Sequence, residues 1–390
     1  MKQNKLFALA LMFLCILALS GCASNGAMTG NSNWPGTSGE DDIIYIADGS
    51  YIEAVQDGKK LWSYPNETNS RLSMYAAPTV DDSHIFVGTY ANQLYILNKD
   101  DGSMAATVEV GNNRNKIIAS PLVVDGKVYV ASSGGMLSSY TVNLSGENLT
   151  PNWQTNFSGE LWIQPVYYDG TLYVISMDKK MNLVNAETGE LKESFDIGAV
   201  LDNPVVEDGK IYFSTFHKEV DVMDLATNEI RTLMTAESEI WARPLLMGDK
   251  LIAADMNGIV YCVDKESGAS LWKTQKLTAE KTGFIAAPVA LDEETILLID
   301  ENGEIMTYDL EGKSISQRSL GQPVFTTPIL LPNGSFVVAP MTGDGQMKAF
   351  TADLKEDWVY MRSTADSTAA AATAEPTVEP TAEPTAAETK

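Results

Sequence analysis

A segment of about forty residues returns eight times along this chain, and a period of that size forces the sequence to be read as one array. The clearest part of each return is a short apolar run: IIYIA from Ile43, HIFVG from His84, KVYVA from Lys127, TLYVI from Thr171, KIYFS from Lys210, KLIAA from Lys250, TILLI from Thr295 and SFVVA from Ser335. About eight residues before the centre of seven of these runs stands a proline in an apolar setting: Pro78, Pro121, Pro165, Pro204, Pro244, Pro288 and Pro328. The first unit alone lacks it. Downstream, turns such as Asp255-Met256-Asn257-Gly258 and Asp300-Glu301-Asn302-Gly303 lead into alternating runs, Ile259 to Asp264 and Ile305 to Asp309. Asn-Gly turns supply the positive φ angles that tight hairpins need. A second turn follows (Thr188-Gly189, Ser267-Gly268, Glu311-Gly312), and the last run often carries a tryptophan: Trp62, Trp153, Trp272 or Trp358. Each unit therefore reads as a four-stranded antiparallel meander.

One such meander cannot cover both of its faces, whereas radial repetition packs each sheet against its neighbours and leaves only short edges. The expected fold is all-β, an eight-bladed β-propeller of four-stranded antiparallel blades over residues 42–361. Because the first unit lacks its proline-bearing strand, the ring closes with residues from the Asn31 to Glu40 stretch or with the strand around Trp358 to Tyr360. A seven-bladed ring with a split first blade is disfavoured, since the first and last units each contain their own three later strands.

The two ends of the chain differ from the array. Residues 1–21 combine Lys2 and Lys5 with an apolar run from Leu6 to Leu19, the pattern of a secretory signal. Leu19-Ser20-Gly21-Cys22 resembles a bacterial lipobox, which implies cleavage before Cys22 and lipidation of its thiol. Residues 22–41 are rich in Gly, Ser, Asn and Thr and are expected to form a flexible tether between the lipid and the ring. Residues 362–390 repeat Glu-Pro-Thr and offer no core-forming composition, so a disordered tail is expected there.

Charge and cysteine content narrow the function. The net charge is −25, which opposes binding to nucleic acid, where phosphates demand clusters of Lys and Arg. Cys15 would leave with the signal and Cys22 is the lipid site, so Cys262 is left as a small buried apolar residue. His84 and His217 fall in different units, which argues against a histidine-based metal or catalytic site. Acidic turns such as Asp100-Asp101-Gly102 lack the ligand spacing of a calcium loop. No catalytic residue and no metal ligand is assigned.

Strings such as SPLVVDGKVYVASSGGML and RPLLMGDKLIAADMNGIVYCVDKESGASLWK resemble the repeats of quinoprotein-like (PQQ-like) β-propellers across nearly the whole array. Quinoprotein dehydrogenases share that repeat but are longer and use adjacent cysteines at the cofactor; no such pair occurs here, and no cofactor is expected. With its lipobox and blade count the chain is similar to the outer-membrane barrel-assembly lipoprotein family. That resemblance implies an extracytoplasmic, bacterial membrane-anchored lipoprotein, a non-enzymatic scaffold that docks an envelope protein through loops on one face.

Candidate contact residues come from the segments before each proline. Three residues ahead stand Tyr75, Ile118, Trp162, Leu201, Trp241, Ile285 and Phe325. A repeated apolar position ordinarily packs the neighbouring blade, and that is the expectation for this ring. One residue ahead stand Ala77, Ser120, Gln164, Asn203, Arg243, Ala287 and Thr327, where Arg243 is the sole charge. Trp162, Trp241 and Arg243 are therefore the candidate ligand or partner residues, with pairing of Arg243 to a nearby carboxylate as its structural alternative. Three function classes follow in order: a docking scaffold, acting through end loops or through strand addition at a blade edge; capture of a small molecule or glycan in the central channel; and a quinone-dependent dehydrogenase.

Overall fold

Each repeat folds as a separate sheet in which strands A to D pair in chain order, giving eight four-stranded antiparallel sheets and no helix among the described residues. The computed structural model describes residues 34–362, apart from 67–68, 70–71, 112–115, 144–147, 276–281 and 343–344. The proposed signal, Cys22, the expected tether as far as residue 33 and residues 363–390 lie outside them. Blade 1 comprises Gly36–Glu40, Ile43–Asp48, Tyr51–Gln56 and Lys59–Tyr64. The A strands of the next seven blades begin at Thr79, Leu122, Val166, Val205, Leu245, Val289 and Ile329.

The B strands read as continuous apolar runs because both of their faces are covered. Between blades 1 and 2, Tyr45, Ala47, Ile52 and Ala54 pack on Ile85, Val87 and Leu97. Between blades 8 and 1, Val337, Ala349 and Tyr360 pack on Ile44, Ile46 and Val55, so the ring is closed by the same kind of core that joins consecutive blades. The strand-end tryptophans strengthen four of these joints. The Trp62, Trp153 and Trp272 indole N–H groups donate to the carbonyls of Lys99, Ala186 and Leu310 in the next blade, at 2.9, 3.1 and 2.8 Å. Each ring covers a turn glycine there; a Cβ on Gly189 or Gly312 would lie 2.5 or 2.7 Å from the indole. Trp358 makes the equivalent contact with Gly58 of blade 1.

Blade 1 takes its A strand from the amino-terminal side: Gly36 to Glu40 pair with Ala47 to Ile43. Of the two ways of closing the ring, the Asn31 to Glu40 stretch supplies the missing strand, and Trp358 belongs to the D strand of blade 8, Glu356–Tyr360. The tether expected over residues 22–41 is thus too long, and the propeller begins at Gly36 instead of residue 42. The reason is steric. The A strands of blades 8, 1 and 2 converge, and a Cβ on Gly36 would lie 2.5 Å from the backbone at Ala77. Small residues that read as a linker are what this inner position admits.

All eight C–D pairs contain a β-bulge, from Ala54/Val55 in blade 1 to Ala349/Phe350 in blade 8. Bulges twist outer strands away from flat pairing partners.

Candidate functional site

Chain direction assigns the ends of the ring. Strand A leaves one end and strand B returns to it, so the segments leading into each A strand and the B–C loops share that end, called the mouth here. A repeated backbone hydrogen bond fixes them together. The N–H groups of Tyr90, Ser133, Met177, Phe216, Met256, Glu301 and Met341 donate to the carbonyls of Ser73, Lys116, Glu160, Ala199, Glu239, Gly283 and Pro323, at 2.6 to 3.0 Å. Each acceptor stands five residues before its blade's proline.

The side chains that follow alternate, as in any extended segment. Met74, Ile117, Leu161, Val200, Ile240, Phe284 and Val324, four residues before the prolines, are at most 3% exposed. These pack the blades. The next residues, Tyr75, Ile118, Trp162, Leu201, Trp241, Ile285 and Phe325, are not buried. The expectation that this ring mainly packs the neighbouring blade is therefore corrected by one residue, and the mouth is rimmed with large apolar side chains.

Part of this rim is an aromatic cluster. Trp241 lies 5.7 Å from Trp34 and 6.0 Å from Phe216, edge-on to the latter at 90°. Trp34 also lies 5.2 Å from Phe325. Such tilted and edge-on pairs suit the ring quadrupoles. At the lead-in to blade 2, Tyr75 and Tyr90 pair at 5.3 Å. Trp162 stands two blades from Trp241, 45% exposed, with its indole N–H donating to Glu160 at 2.7 Å. Two of the three candidates, Trp241 and Arg243, thus share one lead-in segment, while Trp162 occupies another part of the rim.

The residues just before the prolines form a polar layer that ties blade to blade. The Gln164 N–H donates to Asn203 at 3.1 Å and the Ala287 N–H to Thr327 at 3.1 Å. The Arg243 N–H donates to Asp202 Oδ2 at 2.9 Å, and its guanidinium lies 3.5 Å from Asp202 Oδ1. Arg243 therefore adopts its structural alternative, a charge compensated within the ring.

Other chemistry at the mouth is also internal. Asp255 is wholly buried and accepts from the backbone of Asn257 and Ile259, from Ser238 and from the Tyr261 hydroxyl. Its counterpart in blade 7, Asp300, accepts from Asn302 and Glu304 on one oxygen, but the other has no partner. Burial pushes the Asp300 carboxyl above the usual range, and the two backbone donors only partly offset this. Asp221, in the C strand of blade 5, is raised for the same reason. Where the ring closes, Arg362 pairs with Glu53 at 3.0 Å and lies 3.7 Å from Asp48, both carboxylates being buried. Its guanidinium also stacks over Tyr51 at 4.8 Å.

The opposite end holds the A–B and C–D turns and a cleft of about 650 Å³ lined by Glu40, Asp81, Asp82, His84 and Asp125, among others. His84 faces this cleft while His217 sits in a B–C loop at the mouth, hydrogen-bonded to Ala199, so the two histidines never meet. Among the described residues no group of three or more His, Cys, Asp or Glu side chains is placed to hold a metal. Cys262 is buried between blades 6 and 7, and burial pushes its thiol up to about 11.

Sequence reasoning missed Trp34 and Phe216. Trp34 offered a signal, being the one aromatic residue between Gly26 and Asp42. Phe216 offered a weaker one, as an aromatic at the second position of a B–C loop, after Thr215.

Comparison with known proteins agrees with this architecture. The family described as "Outer membrane protein assembly factor BamB" matches residues 48–274 and 257–383. The BamB of Yersinia pestis is 26% identical over 80% of this chain and 71% of its own length, and that of Salmonella typhimurium 22% identical over 84% and 86%. The crystal structure of BamB from Moraxella catarrhalis superposes with a TM-score of 0.64 at 19% identity, covering 79% of this chain and 91% of that one. A computationally designed protein, Ika8, superposes with a TM-score of 0.65 at 13% identity, covering 83% and 98%, a likeness of fold alone. With most of its length matched by the family, the chain belongs to the outer membrane protein assembly factor BamB family.

Proposed function

We propose that this protein is a non-catalytic docking propeller of the bacterial envelope that serves outer-membrane protein assembly and engages a protein partner at the mouth of the ring. The family match from residue 48 to residue 383 carries the assembly role. The apolar rim, with Trp162 45% and Phe216 39% exposed, favours the mouth as the docking face. Aromatic side chains that remain solvent-exposed on a rigid scaffold are the usual anchors of protein interfaces. Strand addition at a blade edge is less favoured, because every outer strand is bulged against its neighbour. Lipidation of Cys22 and a membrane-anchored location complete the proposal, supported by the Leu19 to Cys22 motif.

Channel capture of a small molecule or glycan finds less support, since Arg243 already pairs with Asp202 and Trp34 lies against rings from two separate lead-in segments. The direct test is crosslinking of the protein in its native membranes, followed by purification and mass spectrometry. Reproducible, stoichiometric capture of an envelope assembly protein is expected. No protein above background would overturn the docking role.

A further inference from the structure

We propose that the mouth contains a socket for one aromatic side chain, filled in cis by Trp34, and that a docking partner enters it with an aromatic residue on an extended segment. Trp34 belongs to blade 1 by sequence, two residues before its A strand, Gly36–Glu40. Its ring nevertheless packs on other blades: on Trp241, which leads into blade 6, and on Phe325, which leads into blade 8. Phe216 of blade 5 completes the wall behind Trp241. The flanking sequence Gly30-Asn31-Ser32-Asn33 and Gly36-Thr37-Ser38-Gly39 has no other large side chain. Among the described residues of this segment, Trp34 is the large side chain that reaches Trp241 and Phe325.

The segment is built so that the indole can leave without dismantling the blade. Pro35 and Gly36 are buried, and a Cβ on Gly36 would lie 2.5 Å from the Tyr75 carbonyl oxygen, which fixes the chain immediately after Trp34. Displacing the ring requires rotation ahead of Pro35, and the pairing of Gly36 with Ala47 is untouched. Trp34 itself is only half-buried, and Phe216 behind Trp241 is 39% exposed, so solvent reaches the cluster. The nearby charge is compensated within the ring, Arg243 lying 3.5 Å from Asp202, so shape and aromatic character are left to select the occupant. Trp34 itself shows the chemistry that the socket accepts: a planar aromatic carried on a chain of small residues.

This deepens the docking reading, on which it rests for the partner, but its test does not need that partner. The probe is a hexapeptide copying residues 32–37, compared with the same peptide carrying alanine in place of tryptophan, titrated against the full chain by NMR. A tethered side chain competes at an effective concentration of the order of millimolar or above. The Trp34→Ala chain should therefore bind the tryptophan peptide at least about tenfold more tightly than the unsubstituted chain, and should not bind the alanine peptide. Trp241→Ala added to Trp34→Ala should remove most of that gain, while Trp34→Phe should behave like the unsubstituted chain. Equal binding of both peptides, or equal affinity of both chains, would overturn the socket. If Trp34→Ala proves unfolded by circular dichroism, the indole N–H resonance of Trp34 in the unsubstituted chain is followed instead; excess tryptophan peptide should shift it, and an unmoved resonance would overturn the proposal. Peptide binding without capture of any envelope protein would sink the docking reading and leave the socket standing.

Discussion

The two ends of the ring are made of the same repeats and yet differ in kind. At the mouth, large apolar side chains line the rim and their polar neighbours are paired locally. At the opposite end, tight turns with positive φ at Asp41, Asp57, Asp125, Asp169 and Asp208 are laced by ion pairs between successive blades. Lys99 meets Glu40 at 2.7 Å, Lys127 meets Glu187 at 2.5 Å and Lys210 meets Glu266 at 2.6 Å, while Lys265 meets Glu207. The turn end suits solubility and the alignment of neighbouring blades. The mouth exposes what an interface core needs.

The largest effect should come from the ion cluster that closes the ring. Arg362→Met removes the cation from buried Glu53 and Asp48. Breaking a buried pair from one side costs about 3–5 kcal/mol, so urea denaturation should show a loss of that size. A loss below about 1 kcal/mol would place Arg362 among ordinary surface cations.

Removing anchors sharpens the contrast between the ends. Trp162→Ala with Phe216→Ala should lower capture of the envelope partner about tenfold or more, the effect expected of interface anchors. Because both side chains are substantially exposed, the unfolding midpoint should hardly move. Full capture by this variant would move the interface away from the rim.

Blades 6 and 7 provide a finer comparison, through pH. Asp255 has donors on both oxygens and Asp300 on one. The Asp300 carboxyl has a folded pKa above its unfolded value, so the folded state takes up the proton first. Its ionised form therefore costs stability at neutral pH, and that cost is relieved as pH falls through the folded pKa. Asp300→Asn should be neutral or stabilising at pH 7 and should gain less than the unsubstituted chain as pH falls toward the ordinary carboxylate range, read by thermal unfolding. A larger gain for the variant would contradict a raised Asp300 carboxyl in the folded state.

The smallest effects belong to the turn end. Lys127→Ala or Lys210→Ala should each cost no more than about 1 kcal/mol, since exposed pairs are screened by water and salt. Neither should alter partner capture. A large loss of capture would assign the docking role to the wrong end.

Most of the fold was legible because blade packing leaves a periodic trace. Continuous runs such as IIYIA and KVYVA mark strands covered on both faces, and the prolines mark where each blade begins. The A strand of blade 1 was hidden for a physical reason: crowding at the ring's inner edge selects Gly36 and Gly39, and glycine also signals a linker. The rim was half legible. Its side chains recur at a fixed offset from proline, but a period alone cannot say which of two adjacent residues, Ile240 or Trp241, turns inward. The contact of Trp34 with Trp241 joins positions more than two hundred residues apart and leaves no local pattern.

The most direct test of the mouth as the docking face is site-specific photocrosslinking in native membranes, with the photoreactive residue at Leu201 on the rim or at Asp208 in a turn of the same blade. Capture of an envelope assembly protein from Leu201 and none from Asp208 is the predicted result. Capture from Asp208 alone would contradict the account.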